Sequence, residues 1–101
     1  MNAVSGHLLP ESASIDATGS MSIGGCALTA IAAEFGTPVF VYDEEHLRDR
    51  CREAVRAFGA DRVVYATKAF LCTEMARLAT QEGLLLDVAT GGELFVALNA
   101  G

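Results

Sequence analysis

Apolar positions along this chain keep two rhythms that alternate. From Cys26 to Phe35 the residues Ala27, Leu28, Ile31, Ala32 and Phe35 recur at helical spacing, and Gly36 supplies a C-terminal stop. Pro38 prevents any continuation. Val39, Phe40, Val41 and Tyr42 form a short β-rich run that predicts a strand. Asp43 is placed to cap a second helix, whose first turn holds Glu44 and Glu45. In that helix Leu47, Cys51, Ala54, Val55 and Phe58 share one face. Arg48, Arg50, Arg52, Glu53 and Arg56 fall largely on the other, which predicts a solvated surface, and Gly59 ends the helix.

Val63 to Ala66 predicts the next strand, ending in Thr67 and Lys68. A third helix follows with Leu71, Met75, Leu78 and Ala79 as its buried stripe, closed by Gly83. Leu84 to Val88 predicts another buried strand. Thr90-Gly91-Gly92-Glu93 then has capping-box spacing and starts a fourth helix carrying Leu94, Val96, Ala97 and Leu98. Residues 1 to 20 are small and polar without a period, which predicts a flexible lead-in; 21 to 37 form an opening segment with a helix. From residue 38 to 101 the alternation of apolar strands and helices predicts an α/β fold of parallel βα units. A closed (β/α)8 barrel takes about 250 residues, so the expectation is the first units of a TIM-type barrel, incomplete in this chain.

Composition narrows the function. About half of the residues are hydrophobic, too many for a disordered acidic tail. The net charge of -6 comes with no basic cluster, which argues against nucleic acid as a partner. No run of about 20 apolar residues is present to cross a membrane, and the first residues lack the pattern of a secretory signal. Cys26, Cys51 and Cys72 are odd in number and widely spaced, which fits reduced thiols in cytoplasm better than a disulfide framework. His7 and His46 are far apart and lack nearby ligand partners, so no metal site is expected.

The basic residues are six arginines and one lysine, Lys68. Genome base composition is the plain alternative explanation for so many arginines, but arginine cannot replace lysine as an amine nucleophile. Lys68 directly follows an apolar strand, and in parallel α/β folds active sites gather at the carboxyl ends of strands. There it is either partly desolvated among Tyr65, Ala66, Ala69 and Phe70, and so nucleophilic, or a lysine that simply reaches water. Asp87 stands at the equivalent place one unit later, either as neighbour to Lys68 or as a strand terminator. Glu93 either caps its helix or points into a site. Gly91-Gly92 is either a tight turn or a place where bare backbone amides approach an anion.

Three stretches carry a family resemblance. They are Gly24-Gly25-Cys26-Ala27-Leu28-Thr29 with Phe35-Gly36-Thr37-Pro38-Val39-Phe40-Val41-Tyr42-Asp43, then Val64-Tyr65-Ala66-Thr67-Lys68-Ala69, then Leu86-Asp87-Val88-Ala89-Thr90-Gly91-Gly92-Glu93-Leu94. In this order and spacing the chain, over residues 21 to 101, resembles the N-terminal region of the diaminopimelate decarboxylase family, among the alanine-racemase-like barrel enzymes. The second stretch looks like the family's Y-A-x-K-A strand end and the third like its D-V-x-S-G-G-E turn. Two departures stand out. Ala27 replaces a frequent proline, and Thr90 replaces a common serine while keeping the capping hydroxyl.

The resemblance implies that Lys68 holds pyridoxal 5'-phosphate as a Schiff base and then assists proton transfer. It implies that Ala66 lines the ring pocket, that Asp87 lies beside the lysine and cofactor, and that Glu93 lies at the pocket edge. It makes residues 38 to 101 the N-terminal part of the pyridoxal-phosphate-binding barrel. The reaction implied is decarboxylation of a small amino acid, meso-diaminopimelate to L-lysine and carbon dioxide in lysine biosynthesis, by a cytoplasmic enzyme whose full-length form is a homodimer. Groups that bind phosphate and ring nitrogen lie outside these 101 residues. By itself the chain is then expected to be inactive and either poorly folded or aggregated. An ornithine or arginine decarboxylase, a racemase relative, and a non-catalytic chain that merely carries the motif are the alternatives.

Overall fold

The computed structural model describes residues Val4 to Gly101, so the start of the expected lead-in, residues 1 to 3, lies outside the described residues. The chain forms two compact units, Met1–Leu47 and Arg48–Gly101.

In the first unit a 3-10 turn at Gly6–Leu8 precedes a small antiparallel sheet of β1 (Ser14–Ile15), β2 (Met21–Ile23) and β3 (Cys26–Ala27). Ser14 pairs with Ser22, and Ile23 with Cys26. The lead-in expected to be flexible therefore carries a turn and a strand within its described part. Its order comes from short polar side chains rather than from periodicity. Asp16 Oδ1 accepts the Thr18 N–H at 2.8 Å, the Thr18 hydroxyl at 2.6 Å and the Ser20 N–H at 3.0 Å, which closes the β1–β2 turn. These bonds, the Thr18 hydroxyl first, hold the Asp16 carboxyl below the usual carboxylate range. Gly24 and Gly25 join β2 to β3 with φ of 60° and 78°, the double positive φ of a two-residue hairpin.

Helix α1 (Leu28–Phe35) ends at Gly36, whose φ of 80° no β-carbon opposes. Cys26 and Ala27, expected inside this helix, instead pair in β3, because their amides and carbonyls find a strand partner in β2. None of the α1 residues is buried, and Phe35 is exposed. Val39 to Tyr42, expected as a strand, form none among the described residues. An extended segment needs a neighbouring strand to form a ladder, and among the described residues no strand pairs with this one. Phe40 is 89% exposed.

Buried Asp43 does cap helix α2 (Glu44–Phe58): its Oδ1 accepts the His46 N–H at 3.3 Å. Its Oδ2 accepts the Ser12 hydroxyl at 2.5 Å, and Ser12 Oγ in turn accepts the Gly24 N–H at 2.7 Å. The Ser12 hydroxyl is the main cause that draws the Asp43 carboxyl below its ordinary value, against the cost of burial.

The second unit holds the rest of α2, then β4 (Val64–Ala66), a 3-10 turn at Thr67–Ala69, α3 (Thr73–Gln81), β5 (Leu85–Asp87) and α4 (Gly91–Asn99). Strands β4 and β5 are parallel, with Val64 beside Leu85, Tyr65 beside Leu86 and Ala66 beside Asp87. The βαβ alternation read from the sequence is thus present across β4, α3 and β5, and the class is α/β. The core of this unit is Cys51, Met75, Ala76, Leu78, Ala79 and Leu84. The α3 stripe falls where the spacing predicted, except that Leu71 precedes the helix.

The arginine face of α2 is not wholly solvated. Arg48 Nη1 and Arg52 Nε each lie 2.9 Å from a carboxylate oxygen of Glu82, which is only 13% exposed, and Arg48 Nη2 donates to Gln81 Oε1 at 3.1 Å. Glu82 directly follows α3, so a residue that sequence spacing left unassigned gathers two cations. Its carboxyl is held below the usual range, first by Arg52 and then by Arg48. Cys51 beneath has its thiol pushed up by burial and then by the Glu82 charge.

Candidate functional site

Parallel pairing sets the carboxyl ends of β4 and β5 side by side, with Ala66 in register with Asp87. Each strand then turns away. After β4 the chain makes the 3-10 turn Thr67–Ala69, and Phe70 resumes an extended conformation. Thr67 is buried, 2% exposed. Its hydroxyl lies 2.9 Å from the Asp87 carbonyl oxygen and 3.2 Å from Glu93 Oε1, both acceptors. On the far side of the turn the Tyr65 hydroxyl donates to the Phe70 carbonyl at 2.7 Å.

Lys68 is the middle residue of this turn and is exposed. Its amine has no hydrogen bond or ion pair among the described residues. The partial desolvation expected for it is not supplied here, because Tyr65 is drawn to the Phe70 carbonyl and Ala69 is itself exposed. Asp87 is exposed as well, and its carbonyl, not its carboxylate, meets Thr67.

After β5 the chain reaches α4. Thr90 Oγ1 accepts the Glu93 N–H at 3.1 Å, as the T-x-x-E spacing predicts. The return arm differs: Glu93 Oε1 accepts the N–H of Ala89, at 2.7 Å, one residue before the cap. That oxygen also faces the Thr67 hydroxyl, so Glu93 ties the start of α4 to the turn bearing Lys68. Gly91 and Gly92 lie in the first turn of α4 rather than in a tight turn of their own. A β-carbon at Gly91 would meet nothing within 4 Å, and one at Gly92 only Thr90 Oγ1 at 3.9 Å. Packing does not require glycine there, and its effect is to leave backbone bare at a helix N-terminus.

Ala66, Lys68, Asp87 and Glu93 are therefore brought to one edge, the carboxyl ends of the two parallel strands. Tyr65 and Thr67 fix that edge; Tyr65 was expected only as a neighbour of Lys68, and Thr67 was not singled out from sequence. The available signal was a hydroxyl residue between an apolar strand and the sole lysine. Among the described residues no group of three or more His, Cys, Asp or Glu side chains could hold a metal ion. None of the described helices is long and apolar enough to cross a membrane.

Comparison with known proteins gives these residues a context. Residues 44–101 match the family described as pyridoxal-dependent decarboxylase, pyridoxal binding domain. Diaminopimelate decarboxylase from Mycobacterium tuberculosis is 54% identical over 95 residues, covering 93% of this chain and 21% of the relative. The enzyme of the same name from Corynebacterium efficiens is 45% identical over 100 residues, covering 98% and 22%. A solved structure of diaminopimelate decarboxylase from M. jannaschi superposes with a TM-score of 0.79 at 30% identity, covering 90% of this chain and 23% of that one. A protein from Aquifex aeolicus superposes with a TM-score of 0.80 at 31% identity, covering 89% and 22%. The chain thus spans about a fifth of the length of the relatives it matches. With more than half of its residues matched and a lysine-bearing strand end of the expected form, the chain belongs to the pyridoxal-dependent decarboxylases, through their pyridoxal-binding domain.

Proposed function

We propose that this chain supplies the lysine-bearing part of a pyridoxal-phosphate-dependent decarboxylase acting on meso-diaminopimelate, with L-lysine and carbon dioxide as products. The observation that carries the reading is the position of Lys68. The chain's single lysine stands exposed and uncommitted at the carboxyl end of β4, next to the Ala66–Asp87 register pair. An amine that must reach the aldehyde of a cofactor needs that freedom, and the bare backbone at Gly91 leaves room for a close approach. The residues present fit the group. When bound, pyridoxal phosphate supplies an electron sink for the charge left when a carboxylate departs.

The chain's own residues have simpler tasks. Lys68 would hold the cofactor through Nζ, and its amine would be the group of this chain placed to move a proton. The small Ala66 side chain lines the ring and leaves it space. Asp87 places a carboxylate one strand away, beside the lysine and the cofactor. Glu93 borders the pocket while its Oε1 stays engaged with Ala89 and Thr67. Residues 38 to 101 are the first units of a TIM-type barrel, after a lead-in over 1 to 20 and an opening segment over 21 to 37. Groups for phosphate and ring nitrogen belong to the length of the relatives that this chain does not span. The whole protein acts in cytoplasm as a homodimer.

The diaminopimelate reading is supported by the names of the relatives from Mycobacterium and Corynebacterium and by the third motif stretch. Two measurements test the proposal, both on the protein that carries this chain at its full encoded length. Borohydride reduction in the presence of pyridoxal phosphate, followed by peptide mass analysis, should place the adduct on Lys68. Carbon dioxide release should be fastest with meso-diaminopimelate. Faster release from ornithine or arginine would reassign the substrate.

A further inference from the structure

The turn that carries Lys68 is held more firmly than its exposure suggests. Thr67 and Phe70 flank the residues around the lysine, and each is fastened by a hydroxyl: Thr67 through its own, Phe70 through that of Tyr65. Thr67 has one hydroxyl proton and two acceptors within reach, the Asp87 carbonyl at 2.9 Å and Glu93 Oε1 at 3.2 Å. One belongs to the last residue of β5 and the other to the first turn of α4. A single buried side chain thus ties three elements together one residue before the amine-bearing position.

We propose that the Thr67 hydroxyl is a positioning group that fixes the direction in which Lys68 leaves the end of β4, acting through the Asp87 carbonyl and Glu93. The inference rests on the cofactor role given to Lys68 above. It also assigns Glu93 a task distinct from contact with the cofactor. Its Oε1 already accepts the Ala89 N–H at 2.7 Å, so the carboxylate acts as a strut between the α4 start and the Thr67 turn. A threonine suits the place because its branched β-carbon restricts χ1, which aims the hydroxyl at fixed acceptors. Without the hydroxyl, the carbonyl of Asp87 loses a donor and the 3-10 turn loses its tie to β5. Lys68 would then sample more directions, and the fraction aimed at a bound aldehyde would fall.

The test compares Thr67→Val, which keeps the shape and removes the hydroxyl, with Thr67→Ser, which keeps the hydroxyl. Both are made in the protein at its full encoded length. Apoprotein is mixed with pyridoxal phosphate, and the visible absorption of the lysine-linked cofactor is followed in time and then titrated with pH. Borohydride reduction and peptide mass analysis locate the adduct in every sample. With the adduct on Lys68, Thr67→Val should attach cofactor about 3- to 10-fold more slowly, the scale of one lost hydrogen bond. It should also shift the midpoint of the absorption titration, while Thr67→Ser matches the original protein in both. Equal rates and midpoints for Thr67→Val, with the adduct still on Lys68, would overturn the positioning role and leave the cofactor reading standing. An adduct on another residue in the original protein would overturn both. Should Thr67→Val fail to fold, Thr67→Ala against Thr67→Ser gives the same contrast, since both lose the methyl and one alone loses the hydroxyl.

Discussion

The antiparallel sheet β1–β2–β3 leaves both residues of β1 exposed and takes its shape from Asp16, Thr18, Ser12 and Asp43, whose side chains bond to backbone and to each other. The parallel pair β4–β5 rests instead on a buried helix stripe, Met75, Ala76, Leu78 and Ala79, with polar contacts gathered at its carboxyl end. One sheet is organised by side-chain hydrogen bonds, the other by removal of apolar surface from water. The first kind of order depends on a few atoms at short range. The second tolerates an open strand end, which is where a lysine can be presented.

The sharpest way to break this contrast is at the strand end itself. Lys68→Ala should abolish borohydride-trapped cofactor at this position while leaving the melting temperature nearly unchanged, since the side chain is exposed. A large loss of stability would show that Lys68 carries structure as well as chemistry. Next in size is Met75→Ala. Truncating this buried side chain should cost about 2–5 kcal/mol by chemical denaturation. In amide exchange the protection lost should lie in α3, β4 and β5 more than in β1 and β2.

Asp43→Ala is the mirror experiment. It removes a helix cap and the acceptor of the Ser12 hydroxyl, and about 1 kcal/mol is expected from the cap. Exchange should quicken first at the Gly24 and His46 amides. If Met75→Ala and Asp43→Ala quicken exchange in the same residues, the two sheets do not have separate supports and the contrast fails.

The smallest effect concerns acid. The Glu82 carboxyl is lowered in the folded state by Arg52 and Arg48, so its contribution is present above the ordinary glutamate value of roughly 4.3. It is lost as pH falls through the lower folded value. Melting temperature should therefore drop on acidification below that range, and Glu82→Gln should flatten the drop. Added salt should weaken the effect, because the arginines are partly exposed.

The same contrast explains what could be read in advance. The α3 stripe was legible because burial leaves a period in sequence, and the cap at Thr90 because its spacing is local; Leu84 to Val88 was legible as a strand but not as a buried one, since Leu84 alone of the run is buried and Leu85 and Asp87 are exposed. Val39 to Tyr42 is as apolar as β5, yet apolarity alone does not provide a strand partner, and Phe40 stays exposed. The Gly24-Gly25 hairpin could have been read from its dipeptide between short alternating runs. The Asp16 turn could also have been read, since its bonds lie within Asp16-Ala17-Thr18-Gly19-Ser20; the Ser12–Asp43 bond could not, because it joins residues 31 positions apart whose meeting depends on how the chain folds back. Lys68, Asp87 and Glu93 were legible as separate strand-end or capping residues. That Glu93 reaches Thr67 across 26 positions was not.

The Glu82–Gly83 link between α3 and β5 also limits how the chain can change in length. Gly83 has a φ of 90°, and a β-carbon there would lie 3.7 Å from both Ala60 and Val55 side chains. Its carbonyl accepts the Asp61 N–H at 3.0 Å, while Glu82 before it holds Arg48 and Arg52. One inserted residue would displace the anion from its cations and move every residue of β5 to the opposite face of the strand. Insertions should be tolerated in the exposed Asp16–Ser20 turn and purged here, so that among sequences of this kind the spacing from α3 to β5 varies less than the residues that fill it.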